Sequence, residues 1–231
     1  MGSVSHIFDA VRRDGRKNLL EPEAKEICRA YEIPVTDFKV AKEEAEAIKA
    51  AGDIGYPVVL KIVSPDVIHK SDIGAVVLNL KTAHEVGEAY RRILSNVVKV
   101  QPNARMLGVL VQEMAPASTE VIVGAIKDQQ FGPSIMFGLG GILVEVLEDV
   151  AFRVAPVTML EAEAMITEIK AYPVLTGYRN QPKLDTAAIA EVIVKTSKLV
   201  TDHQDIKELD LNPVMVYEDG VKTVDARIIL E

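Results

Sequence analysis

Only one cysteine, Cys28, occurs in the 231 residues. No intrachain disulfide is available, and that usage fits a reducing cytoplasm. The chain has no apolar run of the roughly 18 residues that a membrane-spanning helix needs, which excludes such a helix. Its opening residues, MGSVSHIFDAVRRDGRK, lack the apolar stretch of a signal peptide. Positive charge is not in excess. The formal net charge is -8, which argues against nucleic acid as a partner, because a phosphate backbone selects a basic face. Repeats, low-complexity tracts and long disordered linkers are also missing. What remains is a chain with 48% hydrophobic and 26% charged residues, ordinary for a globular protein and long enough for one large domain or two small lobes.

The segment YPVVLKIVSPDVIHKSDIGAV (56–76) is the most informative. An apolar strand carries Lys61, and a strand of that kind tolerates an ammonium group only where an anion meets it. The strand runs into a polar loop holding His69, flanked by Lys70, Ser71 and Asp72, before the chain returns to an apolar strand. A histidine so placed can meet a mobile charged ligand. The combination points to phosphate chemistry, although a solvent-facing loop histidine is the plainer reading of His69. In so acidic a protein a polyanion needs local cations, backbone N–H groups and, as a rule, a divalent metal.

Around this segment the apolar pattern predicts a helix over 19–31, ended by Ile33-Pro34, and a second in KEEAEAIKAAG, closed by Gly52. Residues 57–63 and 75–80 read as buried strands. Thr82 with Glu85 is a capping box opening a helix to about Val97. After Gln101-Pro102-Asn103 the pattern changes. MLGVLVQEM, TEVIVGAIKD and PSIMFGLGG read as three successive strands, with 151–155 a fourth. Thr158 with Glu161 starts a helix to Ala171, and Asp185 caps another to about Val200. The chain closes with strand segments joined by a turn at Asp219-Gly220. The fold class is therefore α+β (α/β): two α+β lobes, 17–104 and 105–231, with a cleft between them and an N-terminal extension over 1–16.

Alternation along the last strands places Glu208, Asp210 and Asn212 on the face opposite Leu209 and Leu211, and after the turn Val221, Thr223 and Asp225 share a face. If the turn pairs Tyr217 or Glu218 with Val221, Asn212 falls within about two residues of lying opposite Asp225. Those two oxygens suit Mg2+, whose other positions go to phosphate and water. An exposed polar face of a half-wet sheet accounts for the same pattern. At the end of the strand before Ala115-Pro116, backbone groups of Glu113 and Met114 could meet an adenine edge and Glu120 a ribose, or Glu113 is a solvated strand end and Met114 core. Gly140 and Gly141, in Gly138-Leu139-Gly140-Gly141, could bring backbone N–H groups to an anion or simply make a tight turn. Arg153, a cation inside AFRVAPV, could contact phosphate or pair with a carboxylate. Cys28 reads as core, and His84 and His203 carry no assigned role.

Four stretches, YPVVLKIVSPDVIHKSDIGAV, VQEMAPASTEVIVG, FGLGGILVEVLEDVAFRVAP and LDLNPVMVYEDGVKTVDARI, together resemble the ATP-grasp β subunit of the NDP-forming acyl-CoA synthetases, most closely the ADP-forming acetyl-CoA synthetases. The likeness spans about 17–231, and the H-K-S-D loop is its most specific part. Asp210 stands where succinyl-CoA synthetase has a glutamate. The resemblance implies an ATP-grasp fold with the nucleotide cleft between its lobes. It implies the reaction acetyl-CoA + ADP + phosphate = acetate + CoA + ATP, with Mg2+ and ADP/ATP bound. It also implies a separate CoA-binding α subunit, in an α2β2 heterotetramer. His69 would carry the phosphoryl group on a swinging loop, 64–74, and Asp210 would orient an imidazole. Lys61, Arg153, Gly140 and Gly141 would meet nucleotide phosphates, Glu113 and Met114 the adenine, Glu120 the ribose, and Asn212 and Asp225 the metal. A carboxylate ligase with no covalent histidine and a non-catalytic nucleotide sensor are the two other readings.

Overall fold

Helix and strand formation follows the apolar spacing closely in most places. The computed structural model describes residues 2–67, 69–141, 148–180 and 182–231. It divides the chain into two units, one of Leu20–Pro22 and Thr36–Pro116, the other of Met1–Leu19, Glu23–Val35 and Ala117–Glu231.

The smaller unit is built on an antiparallel sheet of β1 (Phe38–Ala41), β2 (Val58–Val63), β3 (Val76–Leu80) and β4 (Gly108–Glu113), in the order β1-β4-β2-β3. Helices α3 (Glu44–Ile54) and α4 (Ala83–Val100) share a core with one face of it. Thr82 caps α4 by accepting from the Glu85 N–H, and Ala89, Ile93 and Val97 descend at helical spacing into Val58, Leu60 and Ile62. Because strand side chains alternate, Lys61 points to the sheet face opposite those helices.

The larger unit begins with α1 (Gly2–Arg13) and takes most of α2 (Glu21–Ala30). Its six strands are β5 (Thr119–Asp128), β6 (Gly132–Leu139), β7 (Val150–Val154), β8 (Ile206–Val216), β9 (Val221–Thr223) and β10 (Ala226–Leu230). They run in the order β10-β8-β5-β6-β7, with β9 also on β8. Helices α5 (Met159–Glu168), α6 (Tyr172–Leu175) and α7 (Thr186–Asp202) also lie in this unit. Met165 and Ile166 of α5 and Ile189, Val192 and Ile193 of α7 pack with Val123, Phe137 and Leu211. Thr158 and Glu161 form a full capping box, and Asp185 accepts from the Ala188 N–H, as the spacing predicts.

Several expectations shift. The division expected after residue 104 falls instead after Pro116. The strand of MLGVLVQEM is β4, hydrogen-bonded between β1 and β2, so the break at Gln101-Pro102-Asn103 is only a turn within the first unit. Residues 1–16 are no appendage: Val4, Phe8 and Val11, spaced for one helical face, are buried in the larger unit's core. Helix α3 runs through Gly52 and ends at Gly55, whose φ of 99° suits glycine. Strand β3 is an edge with Leu78 exposed rather than a buried strand. Helix α5 stops at Glu168, where the buried Asp149 carboxylate accepts from the Lys170 and Ala171 N–H groups. The stretch ILVEVLEDV after Gly141 lies, over 142–147, outside the described residues.

Candidate active site

Lys61 does find its anion, and the anion is internal. Its Nζ donates to Glu21 Oε1 at 2.7 Å, with both residues buried. The other oxygen of the same carboxylate, Oε2, accepts from Lys70 Nζ at 3.1 Å. Glu21, which the sequence does not single out, brings Lys61 and Lys70 onto one carboxylate. The demand for an anion at Lys61 was visible, but a partner forty positions away was not.

Lys70 adjoins His69, whose side chain is exposed on the loop between β2 and β3. That loop is tied at its ends. The Arg105 N–H donates to Asp66 Oδ2 at 2.6 Å, and Asn96 Nδ2 donates to the Gly74 carbonyl at 3.1 Å. A turn closes where the Ala75 N–H reaches the Lys70 carbonyl at 2.8 Å.

On the larger unit, Val216 pairs with Val221 and Leu211 with Ala226, so β8 lies against both β9 and β10. The turn pairs one residue earlier than expected, and Asn212 falls opposite Asp225: the Asn212 N–H donates to the Asp225 carbonyl at 3.2 Å. Leu209 and Leu211 face the core, while Glu208, Asp210 and Asn212 share the other face. Burial pushes the Asp210 carboxyl up from its ordinary value. The Asp225 charge adds to the shift, while Arg227, opposite Asp210, and a hydrogen bond with Asn212 oppose it. A carboxyl held in this way retains its proton to a higher pH than a solvated one does.

Asn212 on β8 and Asp225 in the short link between β9 and β10 carry two hard oxygen donors. Among the described residues no group of three or more His, Cys, Asp or Glu side chains could hold a metal. Two such oxygens have the chemistry for an ion that draws its remaining ligands from phosphate and water, as Mg2+ does.

At the end of β4 both N–H groups are engaged: Glu113 donates to the Asp37 carbonyl at 2.8 Å and Met114 to the Pro57 carbonyl at 3.1 Å. Glu113 also accepts from the Asp37 N–H at 3.2 Å. A ligand edge there would meet carbonyl groups or the Met114 side chain. Gly140 and Gly141 belong to a tight turn against Glu120. The Gly140 N–H donates to the Glu120 carbonyl at 2.7 Å, and Gly141 has φ +69°. The Glu120 side chain is exposed beside them. Arg153 pairs with Glu168 and donates to the Phe152 carbonyl at 2.8 Å, the carboxylate partnership that its sequence context allowed. Cys28 is fully buried, and burial pushes its thiol up to about 12, which removes it from nucleophilic chemistry.

A sequence model of the ATP-grasp domain matches residues 10–230. The β subunit of acetate–CoA ligase [ADP-forming] I from Pyrococcus furiosus is 54% identical over 230 residues, covering 100% of this chain and 99% of that protein. Two solved structures of the dinucleotide forming acetyl-coenzyme A synthetase 1 of Ca. Korarchaeum cryptofilum are also similar. One holds coenzyme A and acetyl-coenzyme A and has a phosphorylated phosphohistidine segment; its TM-score is 0.93 at 47% identity, covering 99% of this chain and 100% of that one. The other holds coenzyme A and Mg-AMPPCP, with that segment pointing towards the nucleotide binding site; its TM-score is 0.89 at 46% identity, with the same coverage. The chain belongs to the ATP-grasp family. Within that family two relatives matched over nearly their full length are β subunits of ADP-forming acetate–CoA ligase.

Proposed function

We propose that this chain is the nucleotide-binding subunit of an ADP-forming acetate–CoA ligase, catalysing acetyl-CoA + ADP + phosphate = acetate + CoA + ATP with a CoA-binding α subunit in an α2β2 assembly. His69 is the phosphoryl carrier. An imidazole nitrogen attacks the phosphorus delivered by the partner, forming an N–P bond as the donor's bond to phosphorus breaks. A terminal oxygen of ADP then attacks that phosphorus and the N–P bond breaks, leaving neutral imidazole and ATP. Lys61 neutralises nucleotide phosphate charge. Asp210 holds a ring N–H of an imidazole and so aims its other nitrogen. Glu113 and Met114 bound the adenine, and Glu120 meets the ribose. Mg2+ held by Asn212 and Asp225 would supply further charge neutralisation at the phosphates.

The observation that carries this reading is an exposed histidine on a loop tethered at both ends, in a chain that matches, end to end, a structure described by its phosphohistidine segment. Incubation with γ-labelled ATP tests it. The wild type should take up label that is acid-labile and base-stable, and His69→Ala should take up none. Equal label on both would refute the assignment. No label on the wild type would favour a ligase with no covalent histidine.

A further inference from the structure

The buried Glu21 carboxylate has no part in the steps above, yet it joins one of their residues, Lys61, to Lys70, the neighbour of another, His69. Its side chain is 3% exposed, against 9% for Lys61 and 24% for Lys70. Lys61 sits in mid-strand on β2, with both neighbouring strands paired to it. Lys70 sits one residue from His69 on the loop. One carboxylate thus ties a fixed strand to the loop position beside the histidine. The Asp66–Arg105 and Asn96–Gly74 contacts hold only the loop's ends. A hydrogen bond between charged groups with one partner buried is stronger than a surface ion pair, but a competing anion can exchange with it.

We infer that Glu21 is a positioning residue: it parks His69 by holding Lys70 against the β2 strand, and it yields Lys70 when a phosphoryl group arrives on His69. The phosphoryl group brings up to two negative charges and three acceptor oxygens to the residue adjoining Lys70. The ammonium group is then drawn from Glu21 to the phosphoryl oxygens, while Glu21 keeps Lys61. The charge that has to travel loosens its own mooring. This inference rests on the carrier reading of His69.

Hydrogen exchange of the full chain, before and after phosphorylation by ATP, tests it in the wild type, Lys70→Met and Glu21→Gln. Lys70→Met keeps the buried Lys61–Glu21 pair. It should speed exchange across residues 64–74 by roughly tenfold, the worth of one partly buried charged hydrogen bond, and leave β2 unchanged. Phosphorylated wild type should show a comparable gain, and phosphorylation should add nothing in Lys70→Met. Glu21→Gln should speed loop exchange in the same way but also loosen β2, because it removes the carboxylate that pairs with buried Lys61; if it fails to fold, Lys70→Met decides alone. A purely structural role for Glu21 would give no dependence on phosphorylation. Wild-type loop exchange in unphosphorylated Lys70→Met overturns the tie. Unchanged exchange in labelled wild type overturns the release. A wild type that takes no label defeats the carrier reading and the release together, while the unphosphorylated comparison still judges the tie.

Discussion

Replacing Gly140 by alanine puts a methyl group where the turn leaves no room. The new Cβ would lie 2.9 Å from Glu120 Cβ and 3.1 Å from both the carbonyl carbon and oxygen of Glu120. These atoms sit in β5, which is paired on both sides with β6 and β8, so they cannot retreat as a flexible side-chain tip would. The methyl must also stretch the 2.7 Å hydrogen bond from the Gly140 N–H to the Glu120 carbonyl. Overpacking of this kind costs about 1–3 kcal/mol and a weakened backbone hydrogen bond about 1. A total near 3 kcal/mol corresponds to a fall in Tm of roughly 6–12 °C for a chain of this size. At Gly141 the methyl would have space, 4.0 Å from Glu120 Oε2, but φ is +69°. The left-handed conformation then costs about 1–2 kcal/mol, so Gly141→Ala should lose less. Calorimetry on the two variants measures both. A Gly140→Ala midpoint equal to that of the wild type, or a larger loss at Gly141 than at Gly140, would refute the argument that close approach to Glu120 requires glycine at 140.

Phe8→Ala should destabilise the protein by about 3–5 kcal/mol in chemical denaturation, because Phe8 is buried in the larger unit's core; a loss under 1 kcal/mol would return residues 1–16 to the status of an appendage. Cys28 should resist a thiol reagent at pH 8 in the folded chain and react in denaturant, since burial raises its pKa to about 12; rapid native reaction would contradict the packing. Burial raises the Asp210 pKa in the folded chain, so the folded state binds more protons than the unfolded one between the two pKa values. Stability from this group is therefore fully present below the ordinary carboxylate pKa and lost as pH rises through the raised folded-state pKa. Asp210→Asn should stabilise the chain at pH 7, and the gain should vanish near pH 3.5; a gain that grows on acidification would reverse the sign.

The local chemistry of the fold was legible in the sequence. Thr158 with Glu161, and Asp185 alone, start helices because a side-chain oxygen three residues before an N–H can satisfy it without help from the rest of the fold. The turn at Asp219-Gly220 and the alternation of Ile206–Val216 together brought Asn212 opposite Asp225, since antiparallel register propagates from a hairpin. What stayed hidden was non-local. Nothing within MLGVLVQEM states that its partners are Phe38–Ala41 and Val58–Val63 rather than the strand that follows it. The spacing of Val4, Phe8 and Val11 is itself a helical signal, but in so short a segment it does not say what will cover that face. Lys61 announced that an anion was required without naming it. Only the fold shows that the Glu21 carboxylate is one anion that meets this requirement.

Turnover of the reconstituted complex tests the central claim most directly. ATP formation from acetyl-CoA, ADP and phosphate, measured with the partner subunit and either wild-type chain or His69→Ala, isolates the carrier from everything that merely binds nucleotide. The account predicts a fall of roughly a thousandfold or more in kcat for His69→Ala, as removal of a covalent nucleophile produces, with ADP binding retained. Wild-type turnover by His69→Ala would contradict it.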